Sequence, residues 1–365
     1  MSLDRLQIRG FRNLQPTTLK PGSGVNWLFG DNGAGKTSVL EAIFLLARGR
    51  SFRVRQISNV IQHGQSALQV VARRFENGVF LGIERDGEDW RGRIDGRETR
   101  RISEFAATLP LVLIEPDSHR LIDGGPDRRR QYLDWQLFHV EPSYLDAWQR
   151  YARLLRQRNA GLRTGASIAT LAAVEAPMVQ AAQRINALRS TQVKALSAEI
   201  EDLLDRLKFR LPGQIDLRYR PGHPADADLA TALADQRASD QERGFTQRGP
   251  HRAELVLTCE GHPASVELSR GQQKLLAIIL LLAQLTLFQR HASHRPMLLL
   301  DDPVSELDAG HLDQLLDWIE GQDFQSWVTA TEPGRSSHTM FHVEQGRVER
   351  VEDSGTRGQQ GAESA

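Results

Sequence analysis

The chain has little of several things that would make its function easy to read. Of its 365 residues a single one, Cys259, is cysteine. That excludes an intramolecular disulfide framework and a cysteine metal cluster, and it fits a reducing compartment; read on its own, Cys259 is a small buried apolar residue. Charge of one sign is also missing: 46 Lys+Arg stand against 46 Asp+Glu, for a formal net charge of +0. The global basic balance of many nucleic-acid-binding domains is therefore absent, and any basic surface has to be local. No membrane-length apolar run occurs. The longest, Leu275 to Phe288, carries Gln284 and Thr286 and falls short of the roughly 20 residues that span a bilayer, so it reads as a buried helix. Met1 to Phe11 is interrupted by Asp4, Arg5 and Arg9 and lacks the apolar centre of a signal peptide. These absences point to a cytoplasmic protein with no membrane partner. What is present, 40% hydrophobic and 25% charged residues over this length, suffices for two domain-sized cores.

Along the chain, Leu3, Leu6, Ile8 and Phe11 mark a first strand. Val25 to Phe29 is apolar apart from Asn26, the pattern of a strand covered on both faces, and Lys36 to Arg48 follows as a helix. Between about Gln69 and Arg101 the residues alternate, with Asp86-Gly87 and Asp95-Gly96 as turn dipeptides, which predicts an antiparallel meander. Its arginines are interleaved with acids and read as a self-neutralised solvated face. Leu111 to Ile114 is a further short strand. From Asp127 to about Phe209 apolar and aromatic residues recur at helical spacing, opened by Pro126 in a first turn and with Pro177 between one or two later helices. Ile215 to Arg220 and Ala253 to Cys259 return to strand character, and Gly355 to Ala365 has no apolar face and reads as a disordered tail.

Gly30-Asp31-Asn32-Gly33-Ala34-Gly35-Lys36-Thr37 satisfies G-x-x-x-x-G-K-[ST] between a buried-type strand and a helix. In such a loop glycines let backbone N–H groups wrap phosphates, and the helix start favours an anion. Lys36 would reach the β- and γ-phosphates of ATP, and the Thr37 hydroxyl would hold Mg²⁺. A second half lies far along the chain, where the buried strand Met297 to Leu300 ends in Asp301 and Asp302. Asp301 fits the carboxylate that binds Mg²⁺, and Asp302, on the other side of the strand line, can orient or deprotonate the attacking water. Between the halves, Leu268-Ser269-Arg270-Gly271-Gln272-Gln273 opens a helix. A serine there is an ordinary cap, but the run is also the signature sequence of ABC-type ATPases, and Asp302 to Asp308 resembles their D-loop.

The motif order resembles ABC-type ATPases, and the 233 positions from Lys36 to Ser269, with helical sequence between, resemble the chromosome-maintenance branch rather than transporter subunits. Within it, Leu6 to Leu14, Gly30 to Thr37, Gly125 to Arg129, Leu133-Asp134-Trp135, Gln157-Arg158-Asn159, Gly249 to Arg252, Leu268 to Gln272, Asp301-Asp302 and Ser305 to Asp308 look like the RecF family over about residues 1 to 350. The resemblance implies an α/β fold: an ABC-type P-loop ATPase head of two lobes, with a mixed sheet and an antiparallel β meander, and an inserted α-helical arm. The expected division is 1-119 for the first lobe, 120-209 for the arm, 210-350 for the second lobe and 351-365 for the tail. It further implies an ATP-sandwiched homodimer that binds DNA at gaps or single-strand/duplex junctions, acts with RecR and RecO in loading RecA, and serves replication restart and the SOS response.

Carried over by position, the resemblance puts Arg12 and Asn13 beside the nucleotide and gives Gly30, Asp31, Asn32, Gly33, Ala34, Gly35, Lys36, Thr37 and Ser38 the phosphates. Ser269, Gly271 and Gln272 would act across the dimer, with Thr37 and Asp301 on the metal and Asp302 and Lys36 catalytic. Asp302 stands where many ABC ATPases have Glu, one methylene longer, which fits slow hydrolysis used as a switch. No histidine follows the strand Ser326 to Ala330, where Thr331 and Glu332 stand instead. For DNA the candidates are Arg128, Arg129 and Arg130, with the alternative that Arg129 is locked in an ion pair. His251 reads as structural. A runner-up function, the structural head of an SMC-like complex with little DNA affinity, would call for a long heptad coiled coil, which the sequence lacks.

Overall fold

The structure, a computed structural model, describes residues 2–87, 89–292 and 295–351. The expected disordered tail lies, but for Val351, outside the described residues. The described residues fold as two compact units, one from 2–115 and 295–351 and the other from 116–292.

In the first unit two sheets enclose a helix. One sheet has the order Arg347–Arg350, Thr339–Glu344, Val25–Phe29, Gln325–Ala330, Met297–Leu300 and Leu111–Ile114, parallel throughout except for the first pair. Val25–Phe29, Gln325–Ala330 and Met297–Leu300 are buried almost throughout because both faces are covered, and the first and last of them are apolar but for Asn26. The other is the antiparallel meander, ordered Thr17–Leu19, Leu3–Arg9, Leu68–Arg74, Phe80–Asp86, Asp89–Ile94 and Arg97–Thr99. In Leu68–Arg74 buried and half-buried residues alternate, so one face meets the core and the other is partly open. The helix Lys36–Arg48 packs on strands of both sheets, which explains why 11 of its 13 residues are buried rather than a single stripe.

The second unit is mainly helical: Pro126–Val140, Pro142–Arg163, Ile168–Arg206, Leu229–Arg243 and Arg270–His291 pack with a three-stranded antiparallel sheet of Ile215–Arg220, Glu254–Cys259 and His262–Pro263. Ile168–Arg206 is one continuous helix of 39 residues with Pro177 inside it, rather than two helices broken there. Arg270–His291 has the length and apolarity of a membrane span, but 78% of its most apolar window is buried within the protein.

The units cut the chain elsewhere than the expected lobes. Met297–Leu300 pairs in parallel with Leu111–Ile114, so the strand carrying Asp301 joins the unit of the phosphate loop. The segment with Ser269 joins the helical unit instead. Sheet pairing, which no local pattern reveals, sets that division.

Candidate nucleotide site

Three neighbouring parallel strands of the first unit end together, and the polar residues collect at their carboxyl ends, where open parallel sheets place ligands. After Val25–Phe29 comes the glycine loop. Gly30 has φ 139, and a Cβ there would lie 2.2 Å from the Val343 carbonyl oxygen; Gly35, with φ 122, leads into the helix. No side chain caps that helix start and its first turn has no acidic residue, so backbone N–H groups are left facing outward with positive potential.

Lys36 folds back along the loop, donating from Nζ to the carbonyls of Gly30 at 2.6 Å and Asp31 at 2.9 Å. Burial lowers its pKa, opposed by the nearby charges of Asp302, Asp31 and Asp301. The Thr37 hydroxyl donates to Asp301 Oδ1 at 2.7 Å, bridging the two halves of the motif across 264 residues. Thr329 donates to the same oxygen at 2.9 Å. Asp301 is only 7% exposed, and burial raises its carboxyl pKa despite both hydroxyls, which act to lower it. Asp302 follows with φ 50 and ψ 53; its N–H donates to Thr329 Oγ1 at 2.8 Å, and its Oδ2 accepts from the Ser305 hydroxyl at 2.6 Å.

The segment after the first strand forms a second wall. Asn13 donates to the Gly33 carbonyl at 3.0 Å and accepts from Ser38 at 3.1 Å. Arg12 makes a two-pronged pair with buried Glu41, at 2.9 and 2.8 Å, and Ser51 donates to the same carboxylate. Arg12 and Asn13 line an open cleft of about 730 Å³ together with Asn32, Gly33, Gly35, Lys36, Thr37, Ser38, Asp302 and Thr329. That volume suits a nucleotide-sized ligand. Of the expected phosphate residues, Gly30, Asp31 and Ala34 support the loop behind this surface rather than line it.

The cleft also includes Arg53, Gln62, His63 and Thr329, which no motif announced. Thr329 left one faint signal, a hydroxyl in a strand that is buried throughout. At the expected switch position Thr331 and Glu332 are exposed and lie outside the cleft lining. The nearest later histidine, His338, is stacked on Trp27 at 5.3 Å and bonded to Glu320 at 2.7 Å.

Ser269, Gly271 and Gln272 lie in the other unit. There Ser269 caps the helix Arg270–His291 in a reciprocal box with Gln272, and its hydroxyl remains at an exposed helix start. The three candidate DNA arginines divide. Arg128 is exposed. Arg129 pairs with Glu254 at 2.7 Å and donates to the carbonyls of Leu121, Ile122 and Gly124, and Arg130 donates to Ala253 and pairs with Asp127. Arg129 is thus the locked ion pair of the alternative reading, and the trio does not form a shared free surface. His251 is bridged to Tyr151 and the Thr246 carbonyl, with its pKa lowered by burial, as a structural residue should be.

A phosphate loop, a strand-end carboxylate pair and the mixed sheet that joins them define an ABC-type ATPase head of the SMC class with a helical insertion. Residues 2–349 match the RecF/RecN/SMC N terminal domain family. The DNA replication and repair protein RecF of Pseudomonas aeruginosa (strain LESB58) is 42% identical over 369 residues, covering 98% of this chain and 100% of that one. Its namesake in Thioalkalivibrio sulfidiphilus (strain HL-EbGR7) is 40% identical, covering 95% and 99%. A solved structure of the recombination mediator protein RecF-ATP in the RecFOR pathway superposes with a TM-score of 0.85 at 25% identity, over 96% of this chain and 97% of that one. The Smc head domain of Pyrococcus furiosus shares the fold, with a TM-score of 0.58 at 17% identity over 96% and 95%. The chain belongs to the RecF family.

Proposed function

We propose that this chain is an ATP-gated DNA-binding protein of recombinational repair and replication restart, a cytoplasmic homodimer in its ATP state. The observation that carries this reading is the preformed cleft, in which an uncapped helix start, Lys36 and Thr37 converge, with Asp301 bonded behind Thr37. Its ligand is ATP: the loop from Gly30 to Ser38 takes the phosphates, while Arg12 and Asn13 lie alongside. Thr37 and Asp301 fit Mg²⁺. The hydroxyl proton of Thr37 is committed to Asp301 Oδ1, so its lone pairs are free, and both hydroxyl bonds to the carboxylate go to Oδ1, leaving Oδ2. A cation that keeps most of its waters and binds phosphate oxygens needs few protein ligands. When bound, it would neutralise charge developing between the β- and γ-phosphates.

Lys36 orients the terminal phosphate, and Asp302 positions the attacking water and accepts its proton. That carboxylate is one methylene shorter than glutamate and is held by Ser305, which supports slow, DNA-stimulated hydrolysis serving as a switch. Ser269, Gly271 and Gln272 of one protomer complete the site of the other. Dimerisation would double the number of phosphates engaged on gapped duplex DNA, and with RecR and RecO the dimer would promote RecA loading and SOS induction.

Sedimentation with and without nucleotide tests the core of this reading. ATP with Mg²⁺ should convert monomer to dimer and ADP should do so poorly, with gapped duplex binding following the dimer. Ser269→Arg should bind nucleotide yet stay monomeric, and normal ATP-driven dimerisation of that variant would exclude the sandwich.

A further inference from the structure

The strand Gln325–Ala330 lies between the strand that launches the phosphate loop and the strand that ends in the two carboxylates. Leu300 is level with Val328, so the next residues of the two strands, Asp301 and Thr329, emerge side by side. Thr329 is 1% exposed, and its one hydroxyl makes two bonds: it donates to the Asp301 carboxylate and accepts from the Asp302 amide. A hydroxyl has one proton and two lone pairs, so these bonds fix each other's direction. A buried strand threonine commonly serves only packing; this one instead links two carboxylate-bearing residues 27 and 28 positions away.

Asp302 needs such a link. Its left-handed backbone, φ 50 and ψ 53, is disfavoured for a residue with a Cβ and persists where the surroundings over-determine it. Ser305 holds its carboxylate from one side, at 2.6 Å, and Thr329 holds its amide from the other. We infer that Thr329 is a positioning residue of the hydrolysis site, one hydroxyl setting the cation-holding carboxylate of Asp301 and the water-activating carboxylate of Asp302 in a fixed relation. It touches neither phosphate nor water in this role. Its loss should therefore separate nucleotide binding from turnover.

This inference rests on the reading of the cleft as an ATP site, and the test separates the two. In the full chain, T329V keeps the side-chain shape but orphans the Asp302 N–H and removes one proton donor from Asp301. Affinity for a fluorescent ATP analogue without magnesium should stay within about threefold, while kcat falls roughly tenfold to a hundredfold. The tightening of analogue binding on adding magnesium should also shrink, a binding readout independent of turnover. T329S, which retains both bonds, should return kcat to within about threefold of the unsubstituted chain. If T329V does not melt cooperatively, T329A takes its place under the same criteria. A T329V kcat within about twofold of the unsubstituted chain, or a T329S loss as large as that of T329V, would overturn the inference. Failure of the unsubstituted chain to bind the analogue would overturn the ATP reading instead.

Discussion

Lys36 bonds the carbonyls of Gly30 and Asp31, whereas Arg158, fully buried in the helical unit, is closed between Glu175 at 2.9 Å and Asp240 at 2.7 Å. Arg189 is likewise held by Asp134 at 2.6 Å, and Arg129 by Glu254. Both regions are rich in charge, but they use it differently. In the cleft Lys36 is held by neutral carbonyls and the helix start is uncapped, so positive potential remains there for an incoming anion, while Arg12 on the opposite wall is paired with Glu41. In the helical unit carboxylates neutralise the arginines and make a polar core. An arginine closed between buried carboxylates has little charge left for a ligand, so a run of arginines in sequence is not by itself a DNA surface.

That contrast can be broken at either end. The largest expected effect is Arg158→Ala, which leaves buried Asp240 without its cation and Glu175 with Arg237 alone; about 3–5 kcal/mol of stability should go, read by denaturant unfolding. A loss below about 1 kcal/mol would mean that the arginine core is not structural. Lys36→Ala should do the reverse, lowering ATP-analogue affinity roughly tenfold to a hundredfold, about 1.5–3 kcal/mol, with an unchanged unfolding midpoint. Arg128 and Arg129 sharpen the comparison within one helix. Arg129→Ala should cost about 1–3 kcal/mol of stability, while Arg128→Ala leaves stability alone and lowers the salt slope of duplex binding by about 0.9 for each phosphate it no longer neutralises. Equal thermal shifts in the two variants would erase the distinction.

The smallest effect is the stability cost of the site itself. Burial raises the Asp301 pKa in the folded state, so ionisation opposes folding above the unfolded carboxyl value, near 3.9, and fully so above the folded one. Asp301→Asn should therefore raise the melting temperature slightly at neutral pH and lose that gain as pH falls toward about 4, while abolishing magnesium-dependent turnover. Melting curves across pH that run parallel for the two chains would contradict this sign.

The loop Gly30 to Thr37 was legible because its chemistry is contiguous: the glycines, the lysine and the helix start lie within one strand-turn-helix. The strand ending in Asp301 and Asp302 was legible because a covered parallel strand is a short apolar run. Ser269 was legible as a helix cap, while its reciprocal bond with Gln272 was not read from the sequence. Thr329, Gln62 and His63 were not legible, since sheet order and loop placement bring them to the cleft and no local period encodes that. The arginines of the helical unit were visible as charges, but Asp240 and Glu254, which take up Arg158 and Arg129, come from 82 and 125 residues away. The helix Ala309–Glu320 and the last two strands, Thr339–Glu344 and Arg347–Arg350, passed unannounced because short polar-apolar segments look alike in either state.

The phosphate-loop strand Val25–Phe29 has as its neighbours Gln325–Ala330 and Thr339–Glu344, both encoded near the far end of the chain. During synthesis that strand therefore leaves the ribosome with no partner on either side. At about 5–20 residues per second, some 300 residues must follow, for roughly 15–60 seconds, before its first neighbour exists. The helical unit is finished in the interval. The nucleotide site is thus among the last features to form, and a nascent or truncated chain exposes an apolar strand with two open edges, a natural target for holding chaperones and a ready seed for aggregation.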